Sequence, residues 1–114
     1  MCRKIEIKIR EKLGVATAIT TDQGKIIFKL ISEIIDKEGF VVLNFIGIDL
    51  LTSAFLNSAI GQLYGRYTSE ELQRTLTVEK MDADDKELLV EVIDRAKTYF
   101  ADPEEFEKIL SKEL

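Results

Sequence analysis

The sequence predicts an α/β protein, an α+β sandwich in which a mixed β-sheet of about four strands is packed by about four helices. Three stretches carry that prediction. Residues 3–10 alternate strictly, with Ile5, Ile7 and Ile9 on one side and Lys4, Glu6, Lys8 and Arg10 on the other, the period of a strand with one wet face. Residues 25–37 repeat apolar side chains at helical spacing, and residues 40–48 form a nearly continuous run of branched and aromatic residues. Such a run following a helix reads as a central strand covered on both faces, with the helix supplying the crossover of a βαβ unit.

The first strand reads as an antiparallel or edge strand, turning at Glu11–Gly14, and Val15–Ile19 reads as a second, short strand. Thr21 or Asp22 is the expected cap of the helix that follows. Ile26, Ile27, Leu30, Ile31, Ile34 and Ile35 form its apolar face and Gly39 its end. After the central strand, Thr52 or Ser53 is the natural cap of a helix whose buried stripe runs from Phe55 to Tyr67. Thr68-Ser69-Glu70-Glu71 has capping-box spacing for a further short helix. Residues 74–81 alternate again as a strand. Asp82, Asp84 and Asp85 open the next helix, where the helix dipole favours negative charge, and Leu88, Leu89, Val92, Ile93, Ala96, Tyr99 and Phe100 are its core stripe. A closing helix is expected over residues 103–110, with Pro103 at its first position and Phe106, Ile109 and Leu110 on one edge. With no linker, repeat or low-complexity tract in its 114 residues, the chain reads as a single domain over 1–114.

Composition narrows the function. There is no histidine and one cysteine, Cys2, so Ser-His-Asp, Cys-His and Cys/His zinc arrangements are excluded within the chain. Neither a GxxxxGK[ST] nor a GxGxxG pattern occurs. No catalytic residue, metal site or cofactor is therefore expected, and the chain is read as a non-enzyme. A net charge of −5 argues against nucleic acid as a partner. No apolar run approaches the length of a membrane span and none resembles a leader peptide, so neither membrane contact nor export is expected. The lone cysteine fits a reducing, cytoplasmic setting.

Partners of α/β sheets meet the carboxyl ends of strands, which directs attention to the turn leaving the central strand. Leu43-Asn44-Phe45-Ile46-Gly47-Ile48, then Thr52-Ser53-Ala54-Phe55, then Gly61-Gln62-Leu63 resemble in order and spacing the STAS-like proteins, bacterial relatives of the anti-sigma factor antagonist (STAS) domain. The resemblance spans roughly residues 5–100. It implies a STAS-type fold and a regulatory role in binding a partner protein, a nucleotide-binding kinase or ATPase. In the antagonist branch a serine at the start of this helix is phosphorylated; carried over, the candidate is Ser53, with Thr52 beside it. The implied partner-binding residues are Gly47, Asp49, Thr52, Ser53 and Asn57. The sequence departs from the antagonist pattern by lacking the acidic residue before the serine and the glycine after it. Asn44 stands for the strand aspartate, and Asn57 stands where relatives often carry an acid.

Each of these residues also has a plain structural reading. Thr52 and Ser53 can be helix caps alone, Asn44 a buried side chain that needs a hydrogen-bond partner, and Gly47 a bend. The three aspartates can be a helix start, Tyr64 and Tyr67 core residues with wet hydroxyls, and Cys2 a bystander. The alternative function is a non-enzymatic scaffold or oligomerising subunit of a larger enzyme or defence complex, with homo-oligomer formation as its mark.

Overall fold

The computed structural model describes residues 3–101. Within them the chain runs β1 (Lys4–Lys8), α1 (Ile9–Leu13), β2 (Thr17–Ala18), α2 (Thr21–Asp36), β3 (Phe40–Asn44), β4 (Leu50–Leu51) and α3 (Ser53–Ala59). A 3-10 turn over Gly61–Gly65 follows, then α4 (Ser69–Thr75), β5 (Leu76–Glu79) and α5 (Ala83–Ala101). Cys2 and the closing helix expected over residues 103–110 lie outside the described residues.

The α/β class is the one the sequence predicts. The strands divide between a three-stranded sheet of order β1-β3-β5 and a two-stranded sheet of β2 and β4. All described pairings are parallel. The first strand is accordingly an edge strand, but a parallel one. Alternation reports which side of a strand is buried, not the direction of its neighbour, and in β1 only Ile7 is buried while Ile5 is 39% exposed. The continuous apolar run does mark the centre. Val41, Val42, Leu43 and Asn44 are all buried between β1 and β5.

Local chemistry sets most helix ends. Thr20 caps α2, its hydroxyl accepting from the Gln23 amide at 3.1 Å while the Gln23 side chain accepts from the Thr20 amide at 3.0 Å. The sequence reading placed this cap one or two residues late; Thr20-x-x-Gln23 is itself the capping-box spacing. At the other end of α2, Glu38 rather than Gly39 takes the left-handed conformation, with φ 64°. Thr68 and Glu71 form the expected capping box of α4. The helix expected to run from Ser53 to Tyr67 breaks at Ile60 and continues as the 3-10 turn bounded by Gly61 and Gly65. Ile9, the last residue of the alternating run, leaves the sheet and opens α1, which Gly14 closes with φ 74°.

α2 packs along α3, α3 against α5, and α2 and α4 against β3. Phe55, Leu56, Ile27, Ile31, Leu43 and Ile60 fill the centre and are essentially inaccessible. Truncating one such side chain to alanine in a packed interior costs roughly 2–5 kcal/mol. The α2–α3 approach is close: a Cβ on Gly24 would sit 2.5 Å from Ser58 Cβ and 2.7 Å from the Phe55 carbonyl oxygen. The Ser58 hydroxyl completes the contact by donating to the Thr21 carbonyl at 2.7 Å. At the C-terminal end of α2, the Tyr67 hydroxyl donates to Asp36 at 2.6 Å, and Arg66 pairs with the same carboxylate at 2.5 Å.

Candidate functional site

β2 and β4 pair Thr17 with Leu50 and Ala18 with Leu51, and each strand runs directly into a helix. The starts of α2 and α3 are therefore brought side by side. Backbone bonds hold them in register: the Asp49 amide donates to Ala16 O at 2.7 Å and the Thr52 amide to Ala18 O at 3.1 Å.

Thr52 and Ser53 differ sharply in this setting. The Thr52 hydroxyl donates to the Ile19 carbonyl at 2.6 Å and accepts from the Phe55 amide at 3.2 Å, so both of its hydrogen-bonding capacities serve the fold. Ser53 is exposed as the first residue of α3, and among the described residues its hydroxyl has no hydrogen-bond partner. Asn57 is exposed one helical turn later and shares the face of Ser53. Asp49, also exposed, precedes β4.

The ribbon beside these residues has two unlike faces. Ala18 and Leu51 are buried. Side chains alternate along a strand, so Thr17 and its partner Leu50 point the other way, and Val15 and Ile19 flank β2 in sequence. Val15 is 45% exposed, Ile19 37% and Leu50 53%. Parallel sheets are normally covered on both faces. The outward face of this ribbon carries Leu50 beside the half-buried Thr17, and with Val15 and Ile19 at its border it is largely apolar and partly exposed. Sequence reasoning missed it because the pairing of Val15–Ile19 with Leu50 joins two distant segments, each too short to show a pattern.

Gly47 stands apart from Ser53, six residues upstream of it along an extended path. Its φ of 79° makes the bend expected of it, and Arg10 packs on it and donates to its carbonyl at 3.4 Å. It lines a cavity of about 180 Å³ with Ile46, Lys80, Met81 and Asp85. There burial, and then Asp82 and Asp84, push the Asp85 carboxyl above its ordinary value. The three aspartates sit at the start of α5, and among the described residues no group of three or more acidic or sulfur ligands is placed to hold a metal. The site residues named from sequence thus form two groups: Asp49, Thr52, Ser53 and Asn57 by the ribbon, and Gly47 at the carboxyl edge of the main sheet.

Asn44, at the end of β3, has the partners its burial demands. Its side-chain oxygen accepts from the Ile46 amide at 2.9 Å, which turns the chain out of the strand, and its amide donates to Glu6 at 3.3 Å. An aspartate there would keep the first bond and oppose a carboxylate in the second.

No helix among the described residues is long and apolar enough to cross a membrane. Neither a curated protein nor a solved structure matches the chain. The family model described as a STAS-like domain of unknown function matches residues 23–86. The match takes in α2 from its third residue, β3, the bend at Gly47, the start of α3 with Thr52 and Ser53, and the strand β5, over half of the sequence. The chain belongs to the STAS-like domain family.

Proposed function

We propose that this STAS-like chain is a non-catalytic regulatory module that binds a partner protein through the outward face of the β2–β4 ribbon and the adjoining first turn of α3. The observation that carries this reading is the partly exposed, largely apolar face of Leu50, bordered by Val15 and Ile19, beside the exposed Ser53 hydroxyl. Exposed apolar patches with a polar border are what protein interfaces are built on. Asp49 and Asn57 supply that border here. The partner implied by the family resemblance is a kinase or ATPase with a nucleotide-binding fold.

Ser53 is the residue at which modification would act. Its hydroxyl is reachable and holds nothing in place, whereas modifying Thr52 would break the cap of α3 and the tether to Ile19. A phosphate on Ser53 adds close to two negative charges to a surface that a partner must desolvate. With Asp49 exposed four residues upstream, that charge opposes docking by an apolar or acidic partner face.

The test is affinity capture from the native cell with the wild type, Leu50→Glu and Ser53→Asp chains, read by mass spectrometry. The expected result is a nucleotide-binding kinase-type protein captured by the wild type. Leu50→Glu should weaken that capture at least about tenfold, in the range of a lost interface anchor, and Ser53→Asp should also weaken it. Capture indifferent to both substitutions overturns the reading. The same apolar face favours one alternative, contact between copies of the chain in a scaffold subunit. A dimer in light scattering that Leu50→Glu dissociates would support that alternative instead.

A further inference from the structure

The strand β1 ends the main sheet. It pairs with β3 on one side, and among the described residues no strand pairs with its other side. The Arg3 carbonyl accepts from the Phe40 amide, and Lys4 stands in register with Phe40. That bond fixes which backbone groups serve the sheet: Ile5 and Ile7 turn their amides and carbonyls to β3, while Lys4 and Glu6 turn theirs to the open edge. The side chains divide by the same parity. Ile7 is buried, and Ile5, on the same face, is 39% exposed. Ile5 borders a groove of about 330 Å³ that Ile34 of α2 lines together with Glu33 and Lys37. Lys4 and Glu6 lie exposed on the opposite face. Among the described residues Lys4 has no acidic partner, and the Glu6 carboxylate accepts only from the Asn44 side chain.

We propose that the open edge of β1 pairs antiparallel with the β1 edge of a second copy, about a two-fold axis at Ile5, which doubles the three-stranded sheet. Three features select that occupant. The first is the backbone. Lys4 of one copy stands opposite Glu6 of the other, so their outward amides and carbonyls exchange hydrogen bonds, and an edge that is otherwise a template for foreign strands is closed. The second is charge. The same register sets a Lys4 ammonium beside a Glu6 carboxylate, and the symmetry repeats the pair. Charges on an edge strand ordinarily guard it against pairing; here they discriminate between registers. Sliding one copy by two residues keeps the hydrogen bonds but sets Glu6 against Glu6 and Lys4 against Lys8. Sliding it the other way sets Lys4 against Lys4. The third is burial. The two Ile5 side chains meet at the axis with Cβ atoms about 4.5–5.5 Å apart, which removes exposed apolar surface from water. The other edge of the sheet, β5, reads Leu76-Thr77-Val78-Glu79 and has no basic residue to answer its acid. The proposal uses none of the ribbon residues, so it stands or falls separately from the reading given for that face.

Sedimentation velocity of the full chain tests it. The wild type is expected to form a concentration-dependent dimer. Lys4→Glu sets acid against Glu6 at both ends of the pairing and should weaken the dimer at least about tenfold. Glu6→Lys sets lysine against Lys4 and should do the same. An equimolar mixture of the two variants should dimerise again, because one edge is then wholly acidic and the other wholly basic. Register is read by disulfide formation under a mild oxidant: Ile5→Cys in a Cys2→Ser background should cross-link faster than Lys4→Cys in the same background, since only the former thiols stand opposite each other. A monomer at every concentration overturns the proposal, as does a dimer that Lys4→Glu leaves intact or tightens. Equal cross-linking rates overturn it, and so does a mixture that stays monomeric although each variant is folded by circular dichroism. A dimer dissociated by Leu50→Glu and not by Lys4→Glu assigns the contact to the ribbon face and overturns pairing through β1.

Discussion

The Thr52 hydroxyl donates to the Ile19 carbonyl across 33 residues of sequence, at 2.6 Å. The same oxygen caps α3 by accepting from Phe55, so one hydroxyl ties the start of α3 to the strand that feeds α2. Replacing Thr52 by valine keeps the shape and removes both bonds. The expected cost is about 1–2 kcal/mol in equilibrium urea unfolding, the range of a lost cap with an unpaired carbonyl. Thr52→Ser should recover most of it. Ser53→Ala, one residue on, should stay within about 0.5 kcal/mol of the wild type, as surface changes do.

Gly24 offers a test in which two effects have opposite sign. In an open helix, Gly→Ala gains up to about 1 kcal/mol. Here the added methyl meets Ser58 Cβ and the Phe55 carbonyl at 2.5 and 2.7 Å, and overpacking of a tight contact costs roughly 1–3 kcal/mol. The steric term wins because one of the two obstacles is backbone. Gly24→Ala should therefore destabilise, and a double-mutant cycle with Ser58→Gly should show coupling between the two sites in thermal melts.

Asn44 explains a departure from the family pattern through its neighbour. Asn44→Asp would bring two carboxylates together in place of the 3.3 Å bond to Glu6, an arrangement in which like charges oppose joint ionisation. The variant should lose about 1–2 kcal/mol at neutral pH, the scale of a broken hydrogen bond to a charged partner. Acidification that protonates one of the pair should shrink the loss, and adding Glu6→Gln should rescue it at pH 7. A loss independent of pH would contradict this account.

Tyr67 gives the stability a dependence on alkaline pH. Burial, and then the hydrogen bond to Asp36, raise its hydroxyl above its ordinary value. A tyrosine whose folded pKa is raised stabilises the fold fully below the unfolded pKa of about 10 and loses that contribution as pH rises through the folded value. Stability should thus fall above about pH 10 more steeply in the wild type than in Tyr67→Phe. At neutral pH the variant should be less stable by about 1 kcal/mol, since the bond it loses is partly solvated.

The elements were legible wherever a pattern was long and local. The buried run of β3, the Thr68–Glu71 box and most of the stripes of α2 and α5 could each be read within a single window of sequence, but Ile26 at the edge of the first stripe and Tyr99 at the end of the second are exposed. Less visible was what depends on pairing. The direction of β1, the division into two sheets and the apolar outward face of the β2–β4 ribbon each require knowing which distant segment lies alongside. Strands of two residues carry no period. Of the candidate site, the sequence located the turn and named Thr52 and Ser53, but it could not tell the hydroxyl bound to Ile19 from the free one. Gly24 shows the same limit: its reason is Ser58, 34 positions on.

The brevity of β2 and β4 bears on motion as well as architecture. With two residues in each strand and apolar side chains turned outward, the ribbon is secured by few hydrogen bonds and half the burial of a central strand. Segments of that kind open at a lower free energy than the core they adjoin. The face proposed for docking is thus the part of the regular structure that can remodel while β3 and the α2–α3 pair stay closed. A ligand that ordered it would register as slowed amide exchange in Thr17–Thr20 and Leu50–Ser53, with the rest of the domain as an internal standard.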